Sequence, residues 1–207
     1  MKYLLDTADL AAIRRFCDIF PVAGVTSNPS IVNKEGKTDF FAHMNEIRSI
    51  IGPGKPLHIQ VTALDTEGMM RDADTLLTKV DKEVYVKVPV TMEGIRAIKR
   101  LKAQGVHVTG TAIYSSQQGF LAMEAGADCI APYFNRMENM GLDPDGIIAA
   151  LAEMIRLYHY PTEILAASFK NAGQVDRAFL AGAQTATMDP SILEGVLTQP
   201  HITNAVA

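Results

Sequence analysis

Along this chain, eight short apolar runs alternate with longer segments whose apolar residues have helical spacing. This alternation is the feature that most restricts the possible folds. The runs begin about every 20 to 30 residues, which is the repeat of a strand–helix unit. Turn signals such as Gly52-Pro53-Gly54 and Tyr160-Pro161 precede the runs. We predict strands at residues 3–6, 24–26, 57–61, 84–88, 107–111, 129–133, 163–168 and 185–188.

The intervening segments carry apolar residues on one helical face, as Leu10, Ile13, Phe16 and Phe20 illustrate. Eight such units in 207 residues predict an α/β protein, a single (β/α)8 TIM barrel over residues 1–207, near the lower size limit of that fold. A doubly wound open sheet is the alternative. We find no linker or low-complexity tract that would mark a second domain.

The net charge of −4 gives no electrostatic reason to expect a nucleic-acid or membrane partner, so a bound phosphate would need a local site. Two cysteines do not make a disulfide framework. The N-terminus has no signal-peptide pattern, and no apolar segment approaches the roughly 20 residues of a membrane span. We therefore expect a cytoplasmic protein.

Lys87 is the most unusual residue, because it lies inside the apolar, β-branched run 84–90. Burial penalises the charged ammonium, so a lysine there is either paired or partly neutral. A neutral amine is a nucleophile suited to Schiff-base chemistry. A strand lysine whose tip reaches solvent or meets a carboxylate is the simpler alternative.

Polar residues follow nearly every predicted strand, at the end of a barrel where active sites form. Some have simpler explanations: Asp6 could begin a helix, Asn28 could sit in a turn, and Asp189 is interpreted only as a helix cap. Their convergence nevertheless indicates a catalytic pocket. The candidate residues are Asp6, Asn28, Gln60, Lys87, Thr111, Tyr133, Arg136 and Ser168, with Ser27, Asn135 and Lys170 beside them.

This set suits carbonyl chemistry. Lys87 can attack a ketone to give an iminium, and Asp6 can then take a proton from a nearby hydroxyl so that a carbon–carbon bond breaks. Tyr133, Gln60 and Thr111 can hold the water that leaves when the imine forms and that later hydrolyses the imine. Arg136 suits a phosphate, although an arginine near a loop is as often simply solvated, and Ser168 can add a hydroxyl contact.

Cofactor motifs are missing from the sequence. The five histidines lack ligand spacing, and neither CxxC nor HExxH occurs, which disfavours a metal-dependent aldolase. No GxGxxG follows a strand. We therefore predict neither a metal nor another cofactor.

With these residues identified, the chain resembles the small transaldolase-like aldolases, the fructose-6-phosphate aldolase subfamily of the transaldolase family. The matching motifs run in order across nearly the whole chain. They are Leu5-Asp6-Thr7-Ala8, Gly24-Val25-Thr26-Ser27-Asn28-Pro29-Ser30, Val86-Lys87-Val88-Pro89-Val90-Thr91, Gly110-Thr111-Ala112-Ile113-Tyr114, Ala131-Pro132-Tyr133 with Asn135-Arg136, and Leu165-Ala166-Ala167-Ser168-Phe169-Lys170.

The resemblance implies a (β/α)8 barrel with Lys87 as the Schiff-base lysine, Asp6 as the proton shuttle and Asn28 positioning the substrate. It also implies phosphate contacts from Arg136 and Ser168. The expected partner is a sugar phosphate or ketose, and the expected reaction is cleavage of fructose 6-phosphate to dihydroxyacetone and glyceraldehyde 3-phosphate.

A transaldolase that passes the dihydroxyacetone unit to erythrose 4-phosphate is the runner-up. Transaldolases of the family tend to carry glutamate and phenylalanine where this chain has Gln60 and Tyr133. A phenol can donate a hydrogen bond and orient water, which favours cleavage. A non-catalytic sugar-phosphate-binding barrel and a phosphosugar isomerase are alternatives from other classes.

Family members usually continue with an additional C-terminal helix that packs on a neighbouring subunit in ring-shaped oligomers. This chain ends at Thr203-Asn204-Ala205-Val206-Ala207, so we expect that helix to be shortened or missing. We still expect a homo-oligomer, with a ring as one form.

Overall fold

The computed structural model describes residues 1–36, 39–199 and 205. Eight parallel strands follow one another in chain order around a closed barrel, and β8 pairs with β1. The predicted (β/α)8 TIM barrel is therefore confirmed, and the open sheet is excluded. The strands are β1 (Lys2–Asp6), β2 (Gly24–Thr26), β3 (Leu57–Gln60), β4 (Tyr85–Pro89), β5 (Val108–Ile113), β6 (Cys129–Pro132), β7 (Glu163–Ala166) and β8 (Thr185–Met188).

Helices connect the strands and cover the outside of the barrel. Two of them, α2 and α7, are short and directly follow strands β2 and β6. The helices are α1 (Leu10–Ile19), α2 (Pro29–Lys34), α3 (Phe40–Ile51), α4 (Thr66–Lys79), α5 (Met92–Ala103), α6 (Ser116–Glu124), α7 (Phe134–Asn139), α8 (Pro144–Tyr158), α9 (Ala172–Leu180) and α10 (Pro190–Leu197).

Three strands end one or two residues before their predicted ends, β4 continues one residue further, and β5 continues two residues further. Tyr133 forms only an isolated bridge with Ala167, and Ser168 has a left-handed φ of 63°, so the extended chain ends there. β5 passes through a register shift after Gly110, where Ala112 has a φ of 57°. These irregular positions all lie at the carboxyl end of the barrel.

The helix after β4 shows how closely the outer layer packs. Thr91 caps α5 by accepting a hydrogen bond from the backbone N–H of Gly94. A Cβ at Gly94 would lie only 1.8 Å from the carbonyl oxygen of Pro89. Ile98 and Leu101 face the barrel from the same helix and are fully buried. Gly94 thus lets the start of α5 approach the end of the strand that carries Lys87.

The expectation about the C-terminal helix concerns residues 203–207, which, apart from residue 205, lie outside the described residues. Both cysteines, Cys17 and Cys129, are free thiols. Within the described part of the chain, none of the helices has the length and apolar character that crossing a bilayer requires.

Candidate active site

A cavity of about 450 Å³ lies at the carboxyl ends of the strands. The strands turn into loops here, so side chains from different strands converge on one space. Seven of the eight residues predicted from the sequence line this cavity: Asp6, Asn28, Gln60, Lys87, Tyr133, Arg136 and Ser168. The eighth, Thr111, is fully buried and contacts the hydroxyl of Tyr133.

Lys87 lies on β4 with only 5% of its surface exposed. Its Nζ donates a hydrogen bond of 2.7 Å to the carbonyl oxygen of Ser27. Burial lowers the pKa of Lys87 below that of an ordinary lysine, and the negative charge of Asp6 partly opposes this effect. The amine therefore reaches its neutral, nucleophilic form at lower pH than an exposed lysine would.

Asp6 ends β1, and its carboxylate is held from the neighbouring strand. The hydroxyl of Thr26 donates a hydrogen bond of 2.6 Å to Oδ1 of Asp6. The two residues are partners in the parallel register of β1 and β2, which brings their side chains together inside the barrel. Asp6 also lines the cavity, so its carboxylate can accept a proton from a molecule bound there.

Tyr133 follows β6, and its hydroxyl lies 2.9 Å from the hydroxyl of Thr111 on β5. Burial raises the pKa of Tyr133, while the hydrogen bond with Thr111 and the charge of Arg136 lower it to a smaller extent. The phenol therefore stays protonated at neutral pH and can donate a hydrogen bond into the cavity.

Arg136 lies one helical turn beyond Tyr133 and is held by two aromatic rings. Its guanidinium carbon is 4.9 Å from the centre of the Tyr133 ring, and its Nη1 donates a hydrogen bond of 3.4 Å to the hydroxyl of Tyr114. The rings of Tyr114 and Tyr133 meet edge to face, with centroids 5.7 Å apart. These contacts direct a permanently charged donor toward the mouth of the cavity.

Asn28 and Ser168 line the cavity from opposite parts of the chain. Asn28 is the N-cap of α2, where its Oδ1 accepts a hydrogen bond of 3.1 Å from the backbone N–H of Ile31. Its side-chain amide group still has hydrogens to donate. Ser168 is held in its left-handed conformation partly through its carbonyl, which accepts a hydrogen bond from the backbone of Asn135.

Sequence reasoning missed several contributors to this site. Thr26 appeared only as part of a motif, and the strand register that pairs it with Asp6 cannot be read from a local pattern. Lys34, which the sequence analysis did not select, lines the cavity from the end of α2. Lys170, which the sequence analysis named beside the candidates, lines the cavity as well, so Lys34, Arg136 and Lys170 give its mouth three cationic side chains.

The arrangement combines a buried amine, a carboxylate, a phenol and a cationic rim. An amine and a carboxylate in one cavity can form an imine and then move a proton on the bound molecule. The rim favours anionic ligands such as phosphate esters. Among residues 1–36, 39–199 and 205, no three His, Cys, Asp or Glu side chains are grouped in a way that could hold a metal ion.

Comparison with known proteins shows similarity over nearly the whole chain. A family model described as "Transaldolase/Fructose-6-phosphate aldolase" matches residues 3–206. A "Probable fructose-6-phosphate aldolase" of Streptococcus pneumoniae (strain ATCC 700669 / Spain 23F-1) is 45% identical over 206 residues, covering all of this chain and 93% of the relative. A "Probable transaldolase" of Chelativorans sp. (strain BNC1) is 38% identical over 200 residues, covering 97% of this chain and 90% of the relative.

Proposed function

Since the chain belongs to the transaldolase/fructose-6-phosphate aldolase family of enzymes, we propose that it is a class I aldolase that cleaves fructose 6-phosphate through a Schiff base on Lys87. The observation that carries the proposal is the buried amine of Lys87, which lies in a polar cavity and has a lowered pKa. The products are dihydroxyacetone and glyceraldehyde 3-phosphate.

The reaction begins at the C2 carbonyl of the open-chain sugar. The neutral amine of Lys87 attacks this carbon, loss of water gives an imine, and the imine nitrogen takes up a proton from water to become an iminium. The resulting positive charge is next to the bond that must break, so it can accept the electron pair released in the next step.

Cleavage requires a base beside the C4 hydroxyl. In the proposed mechanism, the Asp6 carboxylate takes that proton while the C3–C4 bond breaks. The electron pair of this bond neutralises the iminium and gives an enamine. Glyceraldehyde 3-phosphate leaves with the new aldehyde at its C1. Thr26 holds the Asp6 carboxylate through the 2.6 Å hydrogen bond, which supports this role.

The fate of the enamine separates an aldolase from a transaldolase. An aldolase protonates C3 of the enamine and adds water to the imine, so that dihydroxyacetone is released. Tyr133, with Thr111 behind it and Gln60 in the same cavity, orients this water in our proposal. A phenol whose pKa is raised by burial keeps the hydrogen that this task needs.

The phosphate and the remaining hydroxyls of the substrate contact residues around the mouth of the cavity. We assign the phosphate to Arg136 and Ser168, because a guanidinium supported by two aromatic rings can form charge-assisted hydrogen bonds in a fixed direction. The side-chain amide of Asn28, beside α2, positions a hydroxyl of the sugar.

Transaldolase activity through the same lysine is the second candidate, favoured by the relative named as a probable transaldolase. The deciding experiment measures glyceraldehyde 3-phosphate released from fructose 6-phosphate, with and without erythrose 4-phosphate. We expect sustained release without the acceptor. Sustained release only when the acceptor is present would make the enzyme a transaldolase.

Borohydride added with fructose 6-phosphate tests the lysine chemistry independently. Reduction of the imine should leave a stable mass on the peptide that contains Lys87. A mass on another lysine, or no added mass at all, would contradict the assignment.

A further inference from the structure

Three polar side chains form a hydrogen-bonded chain across the barrel interior below the cavity. The hydroxyl of Thr26 donates to Oδ1 of Asp6 at 2.6 Å, and the same hydroxyl oxygen lies 2.7 Å from the hydroxyl of Thr187. Thr26 is fully buried and Thr187 is 2% exposed. The three residues come from the adjacent strands β1, β2 and β8.

The direction of this chain follows from counting hydrogens. A threonine hydroxyl has one hydrogen to donate. Thr26 gives its hydrogen to Asp6, so the bond between the two hydroxyls requires Thr187 as the donor. Both bonds therefore point toward the carboxylate, and aligned hydrogen bonds of this kind strengthen one another.

Strand register places Thr187 deeper in the barrel than the groups that face the cavity. Asp6 is level with Thr26 in the pairing of β1 with β2, whereas Thr187 is level with Leu4 in the pairing of β1 with β8. Thr187 therefore lies below Asp6 and reaches it only through Thr26.

We propose that Thr187 is a positioning residue for carbon–carbon bond cleavage, acting on Asp6 through Thr26. This inference rests on the proposed function. Without the Thr187 hydroxyl, the Thr26 hydroxyl loses its donor and holds the carboxylate less firmly. Proton removal from the C4 hydroxyl then slows, whereas imine formation at Lys87 does not depend on this chain.

The test compares Thr187→Val, which keeps the shape of the side chain, with Thr187→Ser, which keeps the hydroxyl. In Thr187→Val we expect kcat for fructose 6-phosphate to fall about three- to tenfold, the effect of one hydrogen bond, without a rise in KM. Borohydride should trap at least as much adduct on Lys87 as in the wild type, because slower cleavage leaves more of the enzyme as the imine. Thr187→Ser should recover most of the wild-type kcat.

Thr185→Val is the matched control. Thr185 lies two residues earlier on β8, is also buried, and donates its hydrogen bond of 3.2 Å to Glu163 rather than toward Asp6. We expect this variant to keep the wild-type kcat.

Several results would overturn the inference: an unchanged kcat in Thr187→Val, a parallel loss of kcat and adduct, no recovery with serine, or an equal loss in Thr185→Val. The wild type reports separately on the proposed function. If wild-type enzyme gives no adduct on Lys87, the Schiff-base mechanism fails, and the role of Thr187 fails with it.

Discussion

The amine of Lys87 donates a 2.7 Å hydrogen bond to the carbonyl oxygen of Ser27, the residue between Thr26 and Asn28. A neutral amine has two hydrogens and one lone pair, and this bond uses one of the hydrogens. The lone pair remains for attack on a carbonyl carbon. The same backbone segment thus orients Lys87, holds Asp6 through Thr26 and presents Asn28 to the cavity.

Replacing Lys87 with methionine should abolish turnover while the barrel stays folded. Methionine keeps the length and apolar stem of lysine but has no nucleophile, so we expect kcat to fall by roughly 10³-fold or more. Steady-state assays of fructose 6-phosphate cleavage and circular dichroism would measure the two effects. Turnover near the wild-type rate in a folded Lys87→Met variant would contradict the proposed mechanism.

The pH dependence of stability should differ between the wild type and Lys87→Met. The pKa of Lys87 is lowered in the folded state, so the folded protein binds fewer protons there than the unfolded chain does. The wild type should therefore gain stability relative to Lys87→Met as pH rises from the lowered value toward 10.5, the ordinary lysine value. Each unit of lowering corresponds to about 1.4 kcal/mol.

Urea unfolding of both proteins at several pH values would measure this difference. Lys99→Met is the control, because Lys99 is exposed on α5, and its stability curve should stay parallel to that of the wild type. Parallel curves for Lys87→Met would mean that the buried amine titrates as an ordinary lysine.

Tyr133→Phe should reduce cleavage more than transfer. The substitution removes the hydroxyl that contacts Thr111 but keeps the ring under Arg136. We expect release without acceptor to fall by roughly 10²-fold, a typical contribution of a general acid or base, while transfer to erythrose 4-phosphate persists. The ratio of the two rates is the measurement. Tyr158→Phe, which removes an exposed hydroxyl on α8, should leave the ratio unchanged. An unchanged ratio in Tyr133→Phe would remove the reason for favouring aldolase.

Arg136→Gln should weaken binding of phosphorylated substrates specifically. Loss of a charge-assisted hydrogen bond costs about 1.5–3 kcal/mol, which corresponds to a rise in KM for fructose 6-phosphate of roughly 10- to 150-fold. The KM for unphosphorylated fructose should change little. Arg96→Gln, which removes an exposed cation paired with Glu93, serves as the control. An equal rise in KM for both sugars would show that Arg136 does not bind the phosphate.

Gly94→Ala should destabilise the barrel. The new methyl group would lie 1.8 Å from the carbonyl oxygen of Pro89, so α5 must shift away from β4. We expect a loss of about 2–4 kcal/mol in the free energy of unfolding. Gly195→Ala is the control, because nothing lies within 4 Å of the added methyl and alanine favours helix. Chemical denaturation should give a lower free energy of unfolding for Gly94→Ala than for the wild type, and an equal or higher one for Gly195→Ala.

The strands could be predicted from the sequence because their signal is local. β2 and β8 have the predicted bounds, since short apolar runs are flanked by clear turn residues. The end of β7 was predicted two residues too late, because Ser168 adopts a left-handed φ that its residue type does not signal. The left-handed φ of Ala112 inside β5 is equally hidden, since neither residue is glycine.

The candidate site was predictable as a set of residues, because strand ends meet at one face of a barrel. The contacts between those residues were not. The hydrogen bond from Thr26 to Asp6 depends on register between strands 20 positions apart in sequence. The contact of Arg136 with Tyr114 depends on how α7 sits beside the end of β5. No short window of sequence contains both partners of either contact.

The pairing of β1 with β8 has a consequence for protein synthesis. A ribosome makes Asp6 early and Thr187 late, so a growing chain can expose Asp6 and Lys87 well before β8 exists. Until β8 docks against β1, the barrel has an open seam beside Asp6. The Thr26 hydroxyl, which binds the Asp6 carboxylate, then lacks its hydrogen bond with Thr187. In the proposed mechanism, full catalytic activity therefore requires that the last strand has joined the first.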